Sequence, residues 1–255
     1  MENLPAPIDS DLHSSIADLA AIYRRANGPL MALVNRLGGS LEKQMALVPP
    51  GYRSQIEQIV ERALSAGYAV AGRVDHLPDT GHQGRMAAAM AAGAAGGAGG
   101  LATALAELPF TITMILNAIR QEARAAGFDP DTDEIRAECI RVFGAGSPLA
   151  ADDGINTSFL SARLTLTGPA VQKVIATIAP KLAAALGQKL AAQAVPVLGA
   201  ISGAALNGAF LGYYRDMARI RFALLGLANR HGAEAVLSAF RDQVEKPRLT
   251  GGKKA

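Results

Sequence analysis

The stretch MAAAMAAGAAGGAGGLATALA, Met86 to Ala106, decides how this chain is read, because its centre, GAAGGAGG from Gly93 to Gly100, suits three different roles. A phosphate-cradling loop implies an enzyme, a linker implies a hinge, and a helix face stripped of side chains implies contact with another backbone. Gly97 to Ala102 formally meets the dinucleotide fingerprint G-x-G-x-x-A, which needs a preceding strand and an acidic residue about 20 positions on. Neither is present: MAAAMAAGAA is helix-forming, and Gln121-Glu122 lies in a helical pattern. No cofactor is expected. With helix formers on both sides, the glycines read as a helix face, or a break between two helices, cleared for the approach of another backbone.

Working outward, the whole composition agrees with helices. Half of the 255 residues are apolar, but they are mostly small: 27 glycines, no tryptophan and 5% aromatic residues. Extended runs of Val, Ile, Thr and Tyr are missing, whereas Ala, Leu, Arg, Gln and Glu recur throughout. The fold expected is all-α, a multi-helix bundle with two Gly/Ala-rich, closely packed helical hairpin segments. With 25 basic against 22 acidic residues, no overall field points to nucleic acid. The single cysteine, Cys139, excludes an intramolecular disulfide, and MENLPAPIDSDLHSS lacks a secretory pattern, so the cytoplasm is the expected compartment.

Helix ends are readable along the chain. Asp9 or Ser10 caps a first helix with Leu12, Ile16, Leu19, Ala20 and Tyr23 on one stripe, ending near Asn27-Gly28-Pro29. Leu30 to Val48 follows, and Ser54-x-x-Glu57 matches a capping box that opens a third helix. GRVDHLPDTGHQG reads as a loop, Pro109 as a kink or restart, and Gly127 as a stop. A short helix with Ile135, Cys139, Ile140 and Phe143 on one side precedes a second loop, GAGSPLAADDG. Three helices punctuated by Pro169, Pro180 and Pro196 come next, then one from Ala233 to Val244. The expected division is an N-terminal helical arm over 1–50, a helical domain over 51–244 and a basic tail over 245–255.

Charge-free stretches occur at Met86 to Ala106 and at Leu190 to Tyr214, of 21 and 25 residues, long enough to cross a bilayer at about 20 residues per span. Length is not hydrophobicity. Leu101 and Leu105 give the first stretch only about 1 kcal/mol toward insertion, and the second is marginal at roughly 2 to 5 kcal/mol. Spacing says more: Gly93 and Gly97 take a four-residue step, as do Gly199 and Gly203, and Gly208 and Gly212. Such rows admit another helix to backbone contact, as in a glycine zipper, and the economical partners are the two stretches themselves. The helix-packing residues expected are Gly93, Gly96, Gly97, Gly99, Gly100, Pro109, Pro196, Gly199, Gly203, Asn207, Gly208 and Gly212. In YYRDMARIR, Tyr213, Tyr214, Arg215, Arg219 and Arg221 form an interfacial pattern suited to lipid contact.

Catalytic patterns are sparse. Ser40-x-x-Lys43 lacks the companion motifs of the enzymes it matches, and Cys139 has no base on its helix. His76 and His82, with Asp75 and Asp79, crowd one loop and are the only metal candidates, without the fixed spacing a site needs. Asn117, Arg120, Asn207 and Asp216 are polar groups on apolar helices, for which inter-helix hydrogen bonds are expected.

One resemblance gathers these pieces. GAAGGAGGLATALAELPFTITMILNAIRQEARAAGFDPDTDEIRAECIRVF, followed by LGQKLAAQAVPVLGAISGAALNGAFLGYYRDMARIRF, resembles the EcsC family, named for a bacterial protein encoded beside an ABC transporter. The resemblance covers roughly residues 50 to 230. It implies a helical protein associated with transport or secretion loci, and it carries over no catalytic residue. The expectation is therefore a non-enzymatic accessory factor, cytoplasmic or peripheral at the inner membrane, whose partners are membrane lipid or a membrane transport complex and not nucleic acid. The alternative is a lipid- or small-molecule-binding bundle with its cavity between the glycine-rich helices, and a third reading is a metal-dependent hydrolase near His76 and His82.

Overall fold

The glycine-rich stretch folds as two helices that turn back on each other. A computed structural model describes residues 10–26, 50–74, 81–99, 101–144, 171–192 and 198–245. These form eight helices and, among the described residues, no strand: α1 (Ser10–Ala26), α2 (Pro50–Val74), α3 (Gly81–Ala98), α4 (Leu101–Ala125), α5 (Asp133–Gly144), α6 (Val171–Ala192), α7 (Leu198–His231) and α8 (Ala233–Glu245). The all-α bundle expected from composition is the architecture found.

Helix α7, at 34 residues about 50 Å long, is the axis. It packs against α1, α3, α4, α5, α6 and α8, while α2 lies on α4 and α6. Helices α3 and α4 form an antiparallel hairpin whose first arm also runs antiparallel to α7, since Gly93 lies at Gly203 while Met86 reaches Gly212. One continuous core joins all eight helices, from Leu12 and Ile16 in α1 to Val236 and Phe240 in α8. Tyr23 meets Phe240 edge-on at 6.2 Å, and Arg24 Nη1 donates to the Gln243 carbonyl at 3.0 Å. Helix α1 is thus part of the bundle, and a division at residue 50 does not set it apart.

Local signals explain most ends. Gly127, at φ 84°, closes α4 with a Schellman pair, its N–H donating to the Arg124 carbonyl and that of Phe128 to the Ala123 carbonyl. Asp129 Oδ1 accepts from the Asp131 N–H at 2.9 Å and turns the chain into α5. Gly232, also at φ 84°, separates α7 from α8.

Three expectations are corrected. Helix α2 opens at Pro50, before the capping-box match at Ser54, because proline lacks only an N–H that a first turn leaves unpaired anyway. Helices α4 and α6 run on through Pro109 and Pro180. Tertiary burial of Leu108, Ile112, Ala179 and Leu182 on either side outweighs the lost backbone bond. The loop expected over GRVDHLPDTGHQG is shorter, since Gly72 to Val74 end α2 and Gly81 to Gly84 open α3. The second helical stretch, Leu30 to Val48, the loop after Gly144, Pro169, Pro196 and the C-terminal tail lie outside the described residues.

Candidate functional site at the helical hairpin

Gly93 lies in the interior of α3, where glycine costs about 0.5 to 1 kcal/mol in helix propensity, and Gly96 and Gly97 lie in its last turn, so the helix depends on what packs against it. A Cβ on Gly93 would lie 2.7 Å from the Gly203 carbonyl carbon and 2.8 Å from Asn207 Cγ. No real side chain fits there. Gly96 faces the Glu107 side chain at 3.1 Å, whereas Gly208 and Gly212 face the flexible Met86 and Met90 side chains. Gly99 sits against Thr103 of its own hairpin, with Thr103 Oγ1 2.6 Å from the Cβ position. The helices are therefore in backbone contact at one crossing and diverge from it.

A polar knot closes that crossing. Asn207, 2% exposed, donates through Nδ2 to the Ala89 carbonyl at 2.9 Å and to Glu107 Oε1 at 2.7 Å. The Thr111 hydroxyl donates to the same carboxylate. Asn207 is among the packing residues expected from the sequence, whereas Glu107 is not. Its membership follows from the hairpin, which folds Glu107 back beside Gly96.

Of the other packing residues, Gly97 is buried in α3, Pro109 is exposed on α4 and Gly199 lies in the first turn of α7. Gly100 and Pro196 fall outside the described residues. So does His76, while His82 lies in the first turn of α3, and among the described residues no three His, Cys, Asp or Glu side chains gather as a metal set. The four polar groups on apolar helices all find partners in the fold. Asn117 Nδ2 donates to the Ala71 carbonyl at 3.3 Å, and Arg120 Nη2 to Asp131 Oδ1 at 2.8 Å. Asp216 accepts from Arg215 at 3.1 Å and lies 3.9 Å from Arg25. Arg120 and Arg136 also flank the Tyr68 ring, at 4.6 and 5.0 Å from its centroid. Cys139 is wholly buried beside Tyr68, and burial pushes its thiol up to about 12, which leaves almost no thiolate at neutral pH.

The interfacial pattern is corrected in part. Tyr213 and Tyr214 are buried, the second packing edge-on against Phe143 at 4.8 Å. Arg221, 3% exposed, donates through Nε to Glu138 Oε1 at 2.6 Å. These three belong to the core, because α5 brings Phe143 and a buried acid from 83 residues upstream onto that face of α7. Arg219 is exposed and Arg215 partly so.

Three hollows run in line along the hairpin. An open groove of about 390 Å³ is walled by Ala92, Ala95, Gly96, Ala106 and Phe110, with Thr103 and Glu107 at its polar edge. Phe110 also borders a cleft beside Ala89, Asn207 and Leu211 that is too narrow to admit a water molecule. Leu211 in turn borders a polar hollow of about 20 Å³ lined by Arg85, Gln121, Glu122 and Arg215. In that hollow burial raises the Glu122 carboxyl above its ordinary range, against the opposing pull of Arg219 and Arg215. A carboxyl raised by folding binds its proton more tightly in the folded chain, so its stabilising contribution is lost as pH rises through the carboxylate range. Glu122→Gln should accordingly raise the urea midpoint at pH 7, with the gain vanishing below the carboxylate range. A lower midpoint at pH 7 would mean that the arginines outweigh burial.

Of the described helices, only α4, over Ala102–Ala125, is long and apolar enough to cross a membrane, and more than half of its apolar window is buried. Neither α3 nor α7 meets that standard, in keeping with the weak hydrophobicity read from the charge-free stretches. No curated protein and no solved structure matches the chain. The model of the EcsC protein family matches residues 32–224, three quarters of the sequence and every part of the hairpin and its crossing with α7, and the chain therefore belongs to the EcsC protein family.

Proposed function

We propose that this EcsC-family chain is a non-enzymatic accessory factor that contacts the inner membrane peripherally from the cytoplasmic side, through the outer face of the α3–α4 hairpin. One observation carries the reading. From Met86 to Ala106 the chain has no charge, and the hairpin leaves Met90 41% exposed where α3 meets α7 and Phe110 47% exposed at the apolar groove. Exposed large apolar side chains near a concave, mainly apolar surface mark a contact face. Burying the exposed halves of a methionine and a phenylalanine contributes about 1 kcal/mol each, which suits reversible attachment. A role beside transport or secretion machinery fits a factor that is held at the membrane without spanning it.

Flotation with vesicles tests this directly. Met90→Glu combined with Phe110→Glu should abolish recovery of the protein in the floating fraction while the circular dichroism stays that of a folded helical protein, with a modest fall in melting temperature because the covered part of Met90 lies on Gly208. A double variant that floats like the wild type would overturn the hairpin as the contact face. The groove also supports a second reading, capture of a single lipid or small apolar molecule. Native mass spectrometry of the purified chain should then show an adduct that Gly96→Leu removes.

A further inference from the structure

The polar hollow at the base of the hairpin collects charge from four helices. Arg85 comes from α3, Glu122 from α4, Arg215, Asp216 and Arg219 from α7, and Arg25 from α1 through its 3.9 Å approach to Asp216. Four cations thus surround two acids, and the cluster keeps an excess of positive charge. Arg219 is exposed and Arg25 has 68% of its side chain exposed, so the cluster opens to solvent. Guanidinium groups so placed present planar forks that match phosphate oxygens.

Position selects which phosphate. The hollow shares Leu211 with the cleft under Asn207, and that cleft shares Phe110 with the apolar groove, so the charged and apolar sites are neighbours along α4. Along α4, Phe110 and Glu122 stand twelve positions, about 18 Å, apart. A hairpin resting its outer face on a leaflet at Phe110 therefore keeps its arginines within about 20 Å of the contact, where lipid headgroups are the phosphates at hand. The apolar face is one weak membrane signal, and stable attachment takes two.

We propose that Arg85, Arg215 and Arg219 form a binding site for the phosphate of an anionic glycerophospholipid, which supplies the second signal for the membrane contact proposed above and rests on that reading. Arg85 stands 130 residues from Arg215 and had no part in the interfacial pattern read from YYRDMARIR.

The test uses the full chain with phosphatidylcholine vesicles and with vesicles containing one third phosphatidylglycerol. Each arginine near an anionic surface is worth about fivefold in affinity. Arg85→Gln with Arg215→Gln should weaken binding to the anionic vesicles about 25-fold and leave binding to neutral ones unchanged. Arg219→Gln, on an exposed residue that folding does not need, should cost about fivefold by itself. Unchanged preference for anionic vesicles in both variants would overturn the site. Wild-type protein that binds both vesicles equally would overturn it while leaving the hairpin contact standing. If the wild type floats with neither vesicle, the membrane contact falls, and short-chain phosphatidylglycerol below its micelle concentration decides the site. A rise in melting temperature that the double variant lacks would sustain it, and no rise would overturn it. An equal rise with inorganic phosphate would overturn the lipid assignment.

Discussion

Gly93→Ala should destabilise the chain by about 2 kcal/mol, although alanine is the better helix former by about 1 kcal/mol. The added Cβ would overlap the Gly203 carbonyl, whose carbon lies 2.7 Å from the Cβ position, and a carbonyl held in α7 cannot rotate away as a flexible side chain does. Relief requires the helices to part, which loosens the Asn207 hydrogen bonds to Ala89 and Glu107 in the same movement. Overpacking of this kind typically costs about 1 to 3 kcal/mol, and Gly93→Leu should exceed that range. Gly226 supplies the comparison. It lies within α7 with nothing near its Cβ position, so Gly226→Ala should stabilise by about 0.4 to 1 kcal/mol. Urea midpoints of the two alanine variants should therefore move in opposite directions, and movement in the same direction would contradict backbone contact at the crossing.

Loss of the Arg221 guanidinium should have the larger effect. Glu138, 1% exposed, holds Arg221 Nε at 2.6 Å and Arg141 Nη1 at 2.9 Å. Arg141 keeps 27% of its side chain exposed and sits on the same helix, so it compensates only in part. Arg221→Met leaves a carboxylate in the core without its closest cation, a change that costs about 3 to 5 kcal/mol. Glu138→Gln with Arg221→Met should recover most of that loss, because replacing both members of a buried pair removes the uncompensated charge. Chemical denaturation of the two single variants and the double variant measures the coupling. Additive losses would show that the pair does not act as a unit.

The two experiments address features of different legibility. The glycine steps were visible as spacing, and a partner helix followed from the bareness of the face. That Gly93 meets backbone, while Gly208 and Gly212 meet methionine side chains, was not visible, because a row of glycines does not say where two helix axes cross. Tyr213, Tyr214 and Arg221 carried the pattern of a membrane interface and lie in the core. Aromatic and basic residues look alike in sequence whether lipid or a buried glutamate awaits them, and Glu138 is too distant to signal which. Arg85 escaped notice for the opposite reason, as a single charge at the edge of a long neutral stretch.

The sequence by itself determined that this chain is helical, where most helices begin and end, and which faces are apolar or bare. Those properties depend on backbone preferences and on periodicity over a few turns, which neighbouring residues carry. Tertiary structure alone decided that Pro109 and Pro180 are spanned by continuous helices, that Glu107 joins Asn207 in a buried knot, and that Arg85 of α3 and Arg215 of α7 line one hollow. Each of these depends on burial or charge shared between segments up to 130 residues apart, and the energy that settles it exists only once the helices have packed.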